Sequence, residues 1–326
     1  MDFGQEFKKF IAGSGITPPD HVIADGSFHR FPTNGRPGDR AGYYCLWDHG
    51  NGSVAGFFGD WRTGIYEVWQ SWQGKGSTQE ERKRVEMHIR EAKERGQAER
   101  ERMAEQARRK ACMLWEKARE SSFHPYLKRK KIRPIAVIKQ LKNLLLVPVM
   151  DSTGQLHSVQ LILPDGVKRF LAGTQVAGHF FPIGQGEPIY IAEGYATGAS
   201  IHEAIGGTGT VIVAFNAGNL LPVAKAIRKA TPHARITICA DNDQFTPGNP
   251  GLTKATEAAK TIGAKLAIPR FQDTSTRPTD FNDLHQLEGQ EAVKKCLDEA
   301  SYPELTKAEL EAELRRLAAL PPIAYD

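Results

Sequence analysis

The sequence predicts an α/β protein, in which a parallel sheet flanked by helices follows an antiparallel β subdomain. A small aromatic-rich N-terminal domain and a long charged helix are expected to precede both. From Pro188 onwards, short apolar runs alternate with helical stretches, as in parallel strands joined by right-handed crossovers. Before that point, residues 144–171 alternate as strands around turns at 152–154 and 164–166, which indicates an antiparallel meander.

The N-terminal region, residues 1–76, is rich in aromatic residues and glycine. YYCLWDHG, SVAGFFGDW and YEVWQSW have the composition of short strands separated by glycine turns. Its aromatic rings either stack on single-stranded bases or fill the core of a small β domain. The second interpretation is favoured, because a small domain needs large aromatic side chains to fill its core. The candidates for base stacking are Trp47, Trp61 and Trp69.

Residues 77–120 have a different character and predict a charged helical connector. Acidic and basic residues are interspersed, and β-branched residues are almost absent, which favours a helix with solvated faces over a nucleic-acid surface. Apolar residues are sparse in this segment until Ala111, Met113, Leu114 and Trp115. We therefore expect the helix to dock near its C-terminal end.

Two basic groups lie in residues 121–187, which we interpret as a basic subdomain before the parallel sheet. In the segment FHPYLKRKKIRP the charges have one sign, so a phosphate-binding patch and an ordinary solvated surface remain equally open. The last strand of the meander carries a second, smaller group. The candidate nucleotide- or DNA-binding residues are Lys128, Arg129, Lys130, Lys131, Arg133, Lys168 and Arg169.

Charge, cysteine content and hydropathy indicate the kind of partner and the cellular location to expect. The 326 residues have a formal net charge of +5, a mild excess that favours an anionic partner. The four cysteines form no CxxC pair, so we expect no zinc. The chain has neither an apolar segment of about 18 residues nor an evident signal peptide. We therefore expect a cytoplasmic protein with no membrane partner.

Acidic residues follow several of the apolar runs, and this is the most informative feature of the chain. In an open α/β sheet, ligands bind outside the carboxyl ends of the strands, so acids from separate strands converge there. A carboxylate cluster without His or Cys suits Mg²⁺ or Mn²⁺ and points to phosphoryl chemistry. The candidate metal ligands are Glu193, Asp241, Asp243, Asp280 and Asp283.

Small polar residues occupy the turns after the strands IYIAE and TVIVAF. Gly194 lets the backbone turn directly after its strand, and Asn216 and Asn219 lie in the equivalent turn of the next repeat. Helices that begin there can point N–H groups at phosphate oxygens. Ordinary strand-to-helix turn chemistry explains the same residues equally well.

EGYATGASI, VAFNAGNL, ADND followed by GNPG, and DFNDL occur in this order. Together they resemble the Toprim domain of DNA primases from conjugative plasmids, phages and integrated elements, over about residues 120–290. The upstream segments FGDWRTG, HPYL and VQLILPDGVKRFLAG are also similar to segments of those proteins. The resemblance places a Toprim catalytic domain at residues 188–300. Residues 301–326 are expected to form a helical tail, with a further domain beyond it left open.

The resemblance implies a primase, which synthesises a short RNA primer on single-stranded DNA from ribonucleoside triphosphates. Glu193 matches the Toprim glutamate, Asp241 and Asp243 match its DxD, and Asp280 and Asp283 match a later acidic motif. Two metal ions and a replicative helicase, fused or separate, belong to this interpretation. The N-terminal domain, in the place of a zinc ribbon, would bind template without zinc. A Toprim nuclease and a non-catalytic single-stranded-DNA adaptor for a helicase remain the alternatives.

Overall fold

The structure is a computed structural model that describes residues 2–34, 38–48, 54–60, 63–71, 79–305, 310, 311 and 315. The chain forms two compact units, and each is built from two segments. The first comprises Met1–Glu120 and Lys139–His179, and the second comprises Ser121–Ile138 and Phe180–Asp326. This division differs from the predicted boundaries at residues 120 and 187, because residues 139–179 belong with the first unit.

The first unit contains two antiparallel sheets and two helices within the described residues. Its helices are α1 (Phe3–Gly13) and α2 (Gln79–Lys117). Its strands are β1 (His29–Phe31), β2 (Gly42–Asp48), β3 (Val54–Asp60), β4 (Tyr66–Gln70), β5 (Arg119–Glu120), β6 (Lys139–Leu141), β7 (Leu144–Met150), β8 (Leu156–Ile162) and β9 (Lys168–Phe170).

The N-terminal sheet has the strand order β1-β2-β3-β4 and packs against α1. The three predicted strands are confirmed as β2, β3 and β4, whereas α1 and β1 were not predicted. Asp2 caps α1 by accepting a hydrogen bond from the Gly4 amide at 3.0 Å. Phe7 and Ile11, four residues apart on one helix face, enter the core beside Phe58.

Helix α2 docks through its C-terminal half, as predicted. Ala107 and Ala111 are buried against Val159 on β8 and Leu171, which directly follows β9. The helix also approaches the N-terminal sheet, because a Cβ on Gly96 would lie 2.8 Å from the Phe57 ring. Helix α2 is therefore an integral part of the first unit and more than a solvated connector.

The second sheet of the first unit has the order β5-β6-β7-β8-β9 and is antiparallel throughout. Strands β7, β8 and β9 are the predicted meander. The short strands β5 and β6 extend it at one edge, and neither was predicted. The aliphatic run Leu145–Val147 of β7 is fully buried, which explains why the sequence signal was strongest there.

The second unit contains one mixed sheet and several helices within the described residues. The helices are α3 (Pro125–Arg129), α4 (Tyr195–Ala204), α5 (Leu220–Ala230), α6 (Pro250–Ile262), α7 (Phe281–Glu288) and α8 (Gln290–Asp298). The strands are β10 (Phe181–Gln185), β11 (Ile189–Ala192), β12 (Gly209–Val213), β13 (Ile236–Cys239) and β14 (Lys265–Ala267).

The strand order is β10-β12-β11-β13-β14. Strands β11 to β14 are parallel, as the alternating pattern predicted, and β10 pairs antiparallel to β12 at the edge. Helices α5 and α6 cover one face, where their small and aliphatic residues pack on the Ile and Val side chains of the strands. The sheet therefore presents the ends of β11 and β13 side by side.

The segment after β14 differs from its prediction. Residues 280–300 were expected to form a loop entering one helix, but the structure has two helices, α7 and α8. Gly289 separates them with φ 86°, a conformation that costs a glycine little. The predicted tail helix lies almost entirely outside the described residues. None of the helices that the structure describes has the length and apolar character to cross a membrane.

Candidate active site

Two of the acidic motifs meet at one edge of the parallel sheet. Strands β11 and β13 are neighbours in register, with Ile191 opposite Ile238. Glu193 therefore follows β11 and Asp241 follows β13 at the same carboxyl edge. The Glu193 Oε1 and Asp241 Oδ1 atoms are both buried. This is the placement that the parallel topology predicted for these acids.

The loop that carries Asp243 is tied to the start of α6. The Gly251 amide donates a hydrogen bond to Asp243 Oδ2 at 3.0 Å. A Cβ on Gly251 would lie 2.5 Å from the Asp241 carbonyl oxygen and 2.9 Å from Asp243 Oδ2. Glycine is therefore required for the helix start to approach both acidic residues this closely.

Asn249 was not singled out from the sequence, although it lies in the GNPG segment. It adopts the left-handed conformation, with φ 41°, immediately before Pro250 begins α6. Its Nδ2 donates to Asn242 Oδ1 at 2.8 Å. Asn242 lies between Asp241 and Asp243, so this bond holds the acidic loop against α6. The signal for it was the residue pattern itself, an asparagine before a helix-starting proline.

The later acidic pair forms a cap on α7. Asp280 is the N-cap, and its Oδ1 accepts the Asp283 amide at 2.8 Å. Asp283 Oδ2 accepts the Thr279 amide at 3.0 Å. The Thr279 carbonyl oxygen in turn accepts the Asn242 amide at 2.7 Å. The cap of α7 is thus linked through Thr279 to the loop between Asp241 and Asp243.

Lys130 is placed differently from the rest of its basic segment. Its Nζ lies 3.4 Å from Asp283 Oδ1 and 3.9 Å from Asp280 Oδ2. Only 27% of the Lys130 side chain is exposed. The predicted patch is therefore not one continuous surface, because its central lysine turns towards the acids. Four members of the patch are exposed: Lys128, Arg129, Lys131 and Arg133.

A buried polar network fixes the backbone of Lys130, and sequence reasoning missed it. Asn282 Nδ2 donates to the Lys130 carbonyl oxygen at 2.8 Å and to Ser200 Oγ at 2.9 Å. His285 Nδ1 lies 3.1 Å from the same Ser200 Oγ. Asn282 lies between the two acids and had no role in the sequence prediction, whereas it is fully buried and its side chain links α4 to the Lys130 backbone.

The turns after β11 and β12 are formed chiefly by backbone groups and two asparagines. Gly194 is the N-cap of α4 and makes no side-chain capping bond. Asn216 Oδ1 accepts the Asn219 amide at 3.1 Å, and Asn219 Nδ2 donates to the Ala214 carbonyl oxygen at 2.8 Å. Asn219 is buried, so its side chain stabilises the turn. A nucleotide contact remains a prediction for Gly194 and Asn216.

The remaining predicted site residues lie in the first unit. Lys168 and Arg169 are exposed on β9. Trp47 is partly buried beside Phe57. Trp69 is only 7% exposed and packs on Phe7 with ring centroids 5.1 Å apart, as a core residue does, and its role in base stacking stays a prediction. Trp61 lies outside the described residues.

The acids impose a negative field on buried neighbours in the second unit. Burial raises the pKa of the Cys239 thiol, and the adjacent Asp241 raises it further. Burial likewise raises the pKa of the Tyr126 hydroxyl, with Asp280 as the next contributor. Both groups therefore stay protonated near neutral pH.

The donor atoms at this edge suit a hard divalent cation in their chemistry, since they are carboxylate oxygens on adjacent strand ends. In the conformation of the described residues, however, no group of three or more His, Cys, Asp or Glu side chains is arranged to hold a metal ion. The predicted ligands are thus brought to one region without forming a completed coordination sphere.

Comparison with known proteins gives independent information on this region. Residues 188–291 match the family described as the Toprim domain. Two curated relatives from Escherichia coli, both named DNA primase TraC, are 32% and 30% identical to this chain. These matches cover 82% and 85% of this chain but only 26% and 20% of the relatives. The chain thus spans about a quarter of the length of these relatives, or less.

A partial likeness to solved structures accompanies these matches. The primase fragment of the bacteriophage T7 primase-helicase protein is 14% identical, with a TM-score of 0.42, and the match covers 55% of this chain and 75% of that chain. The RNA polymerase domain of Mycobacterium tuberculosis primase DnaG is 12% identical, with a TM-score of 0.38, over 67% of this chain and 90% of that chain.

The second unit, with its parallel sheet and acidic edge, therefore contains a Toprim domain. Outside this domain as well as within it, the chain is similar to the DNA primases named TraC, over 82% of its length.

Proposed function

We propose that this chain is a DNA primase that synthesises short RNA primers on single-stranded DNA by metal-dependent nucleotidyl transfer. The observation that carries the proposal is the pairing of β11 with β13, which brings Glu193 and Asp241 to one edge inside the segment that matches the Toprim domain. Similarity to the TraC primases over most of the chain supports it.

Glu193, Asp241 and Asp243 are proposed to hold Mg²⁺ or Mn²⁺, with two ions in the complete site and one residue of the pair Asp280 and Asp283 taking part. When bound, such ions neutralise phosphate charge and polarise the attacking 3′-hydroxyl. The donor chemistry fits, because all of these side chains offer carboxylate oxygens.

The protein's own contribution is to position these groups. Phosphoryl transfer depends mostly on positioning and on charge stabilisation, so rigid support of the acids matters. Gly251 and Asn249 hold the Asp241–Asp243 loop against α6, and Thr279 holds it against the cap of α7. Glu193 is proposed either to ligate an ion or to accept a proton during attack.

Single-stranded DNA and ribonucleoside triphosphates are the proposed partners of the basic residues. The proposed phosphate contacts are exposed side chains: Lys128, Arg129, Lys131 and Arg133 in the second unit, and Lys168 and Arg169 in the first. Trp47 remains a candidate for stacking on template bases. A replicative helicase, fused or separate, is proposed as the protein partner.

The direct test is incubation with single-stranded DNA, labelled ribonucleotides and Mg²⁺. The wild-type chain should yield primers, and Asp241→Asn should reduce the yield at least about a hundredfold, because it removes a ligand charge at nearly constant shape. Asp298→Asn, an exposed acid on α8 in the same unit, is the matched control and should behave like wild type.

Near-normal primer yield from Asp241→Asn would contradict the proposal. Cleaved DNA in place of primers would indicate a Toprim nuclease that uses the same acids. DNA binding without either product would indicate a non-catalytic adaptor.

A further inference from the structure

We propose that Lys130 is a resident cation of the acidic edge, and that Asp283 is its counter-ion and not a metal ligand. The inference rests on the proposed function in one respect, since it assumes that the neighbouring acids bind a divalent cation. It assigns different tasks to two acidic motifs that look alike in the sequence.

The contacts of the later acidic pair support this division. Both oxygens of Asp283 face protein donors, with the Thr279 amide at 3.0 Å from Oδ2 and Lys130 Nζ at 3.4 Å from Oδ1. Asp280 Oδ1 accepts the Asp283 amide, and its Oδ2 faces the same Nζ at 3.9 Å. The pair thus has a cation of its own. A metal ion that took Asp283 as a ligand would bring a second positive charge next to the Lys130 ammonium, which disfavours it.

The position of Lys130 is built into the fold. Its carbonyl oxygen accepts a bond from the buried Asn282, which is anchored to Ser200 on α4. Lys131, the next residue, has φ 50°, so the chain turns sharply directly after Lys130. An ordinary surface lysine has no such backbone anchorage, and neighbouring Lys128 on α3 is exposed. The backbone of Lys130 is therefore fixed beside the cap of α7, within side-chain reach of both acids.

Asp283 has a second consequence for the site, as a positioning residue. It holds the Thr279 amide, and the Thr279 carbonyl oxygen holds the Asn242 amide at 2.7 Å. Asn242 separates Asp241 from Asp243. The lysine-bound cap of α7 therefore supports the loop that carries the DxD pair. Glu193, Asp241 and Asp243 remain as the metal-binding set, and Asp280 is the member of the later pair that takes part.

The test is titration of the full chain with Mn²⁺ in the absence of nucleotide, followed by electron paramagnetic resonance of free Mn²⁺. Lys130→Ala should tighten Mn²⁺ binding at least about threefold, because a positive charge near the acids is lost. The charge-neutral double variant Lys130→Ala with Asp283→Asn should stay within about threefold of wild type. Asp241→Asn should lose tenfold or more. Lys294→Ala, an exposed lysine on α8, makes the same charge change and should be neutral.

A loss of tenfold or more in the double variant would make Asp283 a metal ligand and overturn the proposal. Unchanged Mn²⁺ affinity in Lys130→Ala would overturn it as well. A wild-type chain that binds no Mn²⁺ would remove the assumed metal site and the inference with it.

A second measurement addresses the ion pair without metal. In EDTA, Lys130→Ala and Asp283→Asn should each lower the melting temperature, and the double variant should lose less than the sum of both. Strict additivity would show that the two side chains do not interact, against the proposal. If the coupling and the Mn²⁺ pattern hold while the wild-type chain makes no primers, the proposed function fails and this assignment of the site stands.

Discussion

Gly251 shows how much of the candidate site depends on the space around one residue. The start of α6 lies against the DxD loop, and the Gly251 amide bonds to Asp243 Oδ2. A methyl group there would collide with the Asp241 carbonyl oxygen, which belongs to the backbone and cannot rotate away. The position of both acids therefore depends on the absence of a side chain.

We expect Gly251→Ala to weaken both the fold and metal binding. Overpacking of this kind costs about 1–3 kcal/mol, and the shift of the DxD loop should weaken Mn²⁺ binding as well. Thermal unfolding and Mn²⁺ titration measure the two effects. Gly13→Ala at the end of α1, where a Cβ would meet nothing within 4 Å, is the control and should be neutral or stabilising. Equal melting temperatures for both variants would contradict the steric argument.

The placement of two acids at one sheet edge could be predicted from the sequence. Glu193 and Asp241 follow apolar runs, and parallel pairing then brings them to one edge. The contacts of Lys130 with the later acids and of Asn282 with the Lys130 carbonyl oxygen were not predicted, because a loop has no periodicity that tells inward from outward positions. The burial of Trp69 was not predicted for a related reason, since composition does not say which aromatic rings of a small sheet fill its core.

Helix α2 carries the most information at the scale of elements. Its charge pattern suggested a solvated connector, yet Ala107 and Ala111, one turn apart, are buried on Val159 and Leu171. Small residues allow the helix backbone to approach the sheet closely. A few alanines in a charged sequence are thus sufficient to define a packing face, which a hydropathy average does not reveal.

Ala111→Lys should therefore destabilise the first unit, on the order of 2–4 kcal/mol, because a charged chain cannot be accommodated at a fully buried position. Met113→Lys, at a position that is 54% exposed on the same helix, should change stability little. Urea unfolding of both variants measures the difference. If the two changes cost the same, α2 does not dock through Ala111.

Strands and helices were predicted where their periodicity is long and regular, as in the meander and the parallel sheet. Helix α1 was not predicted, because its apolar face, which includes Phe3, Phe7 and Ile11, is short and lies among charged residues. The break between α7 and α8 was missed because it depends on one glycine with φ 86°. These features follow from tertiary contacts and single backbone conformations, which a local pattern does not encode.

At the scale of the whole chain, the units are interleaved along the sequence. Residues 121–138 belong to the unit of the parallel sheet, and the following residues 139–179 return to the first unit. The sequence predicted a single basic subdomain over residues 121–187. Composition could not divide this subdomain, because the division is set by long-range packing: Lys130 contacts the cap of α7, whereas Val159 packs on α2.

This interleaving predicts how fragments should behave. A fragment that begins at Ser121 retains residues 139–179 but lacks α2, so Val159 and Leu171 lose the cover of Ala107 and Ala111. Exposing a large aliphatic side chain costs about 1.5–3 kcal/mol. We expect this fragment to bind a hydrophobic dye and to unfold with poor cooperativity. A version in which a Gly-Ser linker replaces residues 139–179 should bind less dye and unfold in one transition.

Both fragments keep Lys130, Asn282 and the acidic edge. The comparison therefore isolates the effect of residues 139–179 when α2 is missing. Thermal unfolding by circular dichroism, dye fluorescence and Mn²⁺ titration should be measured side by side. The linked version should retain Mn²⁺ binding because Glu193, Asp241 and Asp243 and their supports all lie in the second unit. If the fragment from Ser121 unfolds as cooperatively as the linked version and binds no more dye, residues 139–179 do not need α2. The division into two interleaved units would then be wrong.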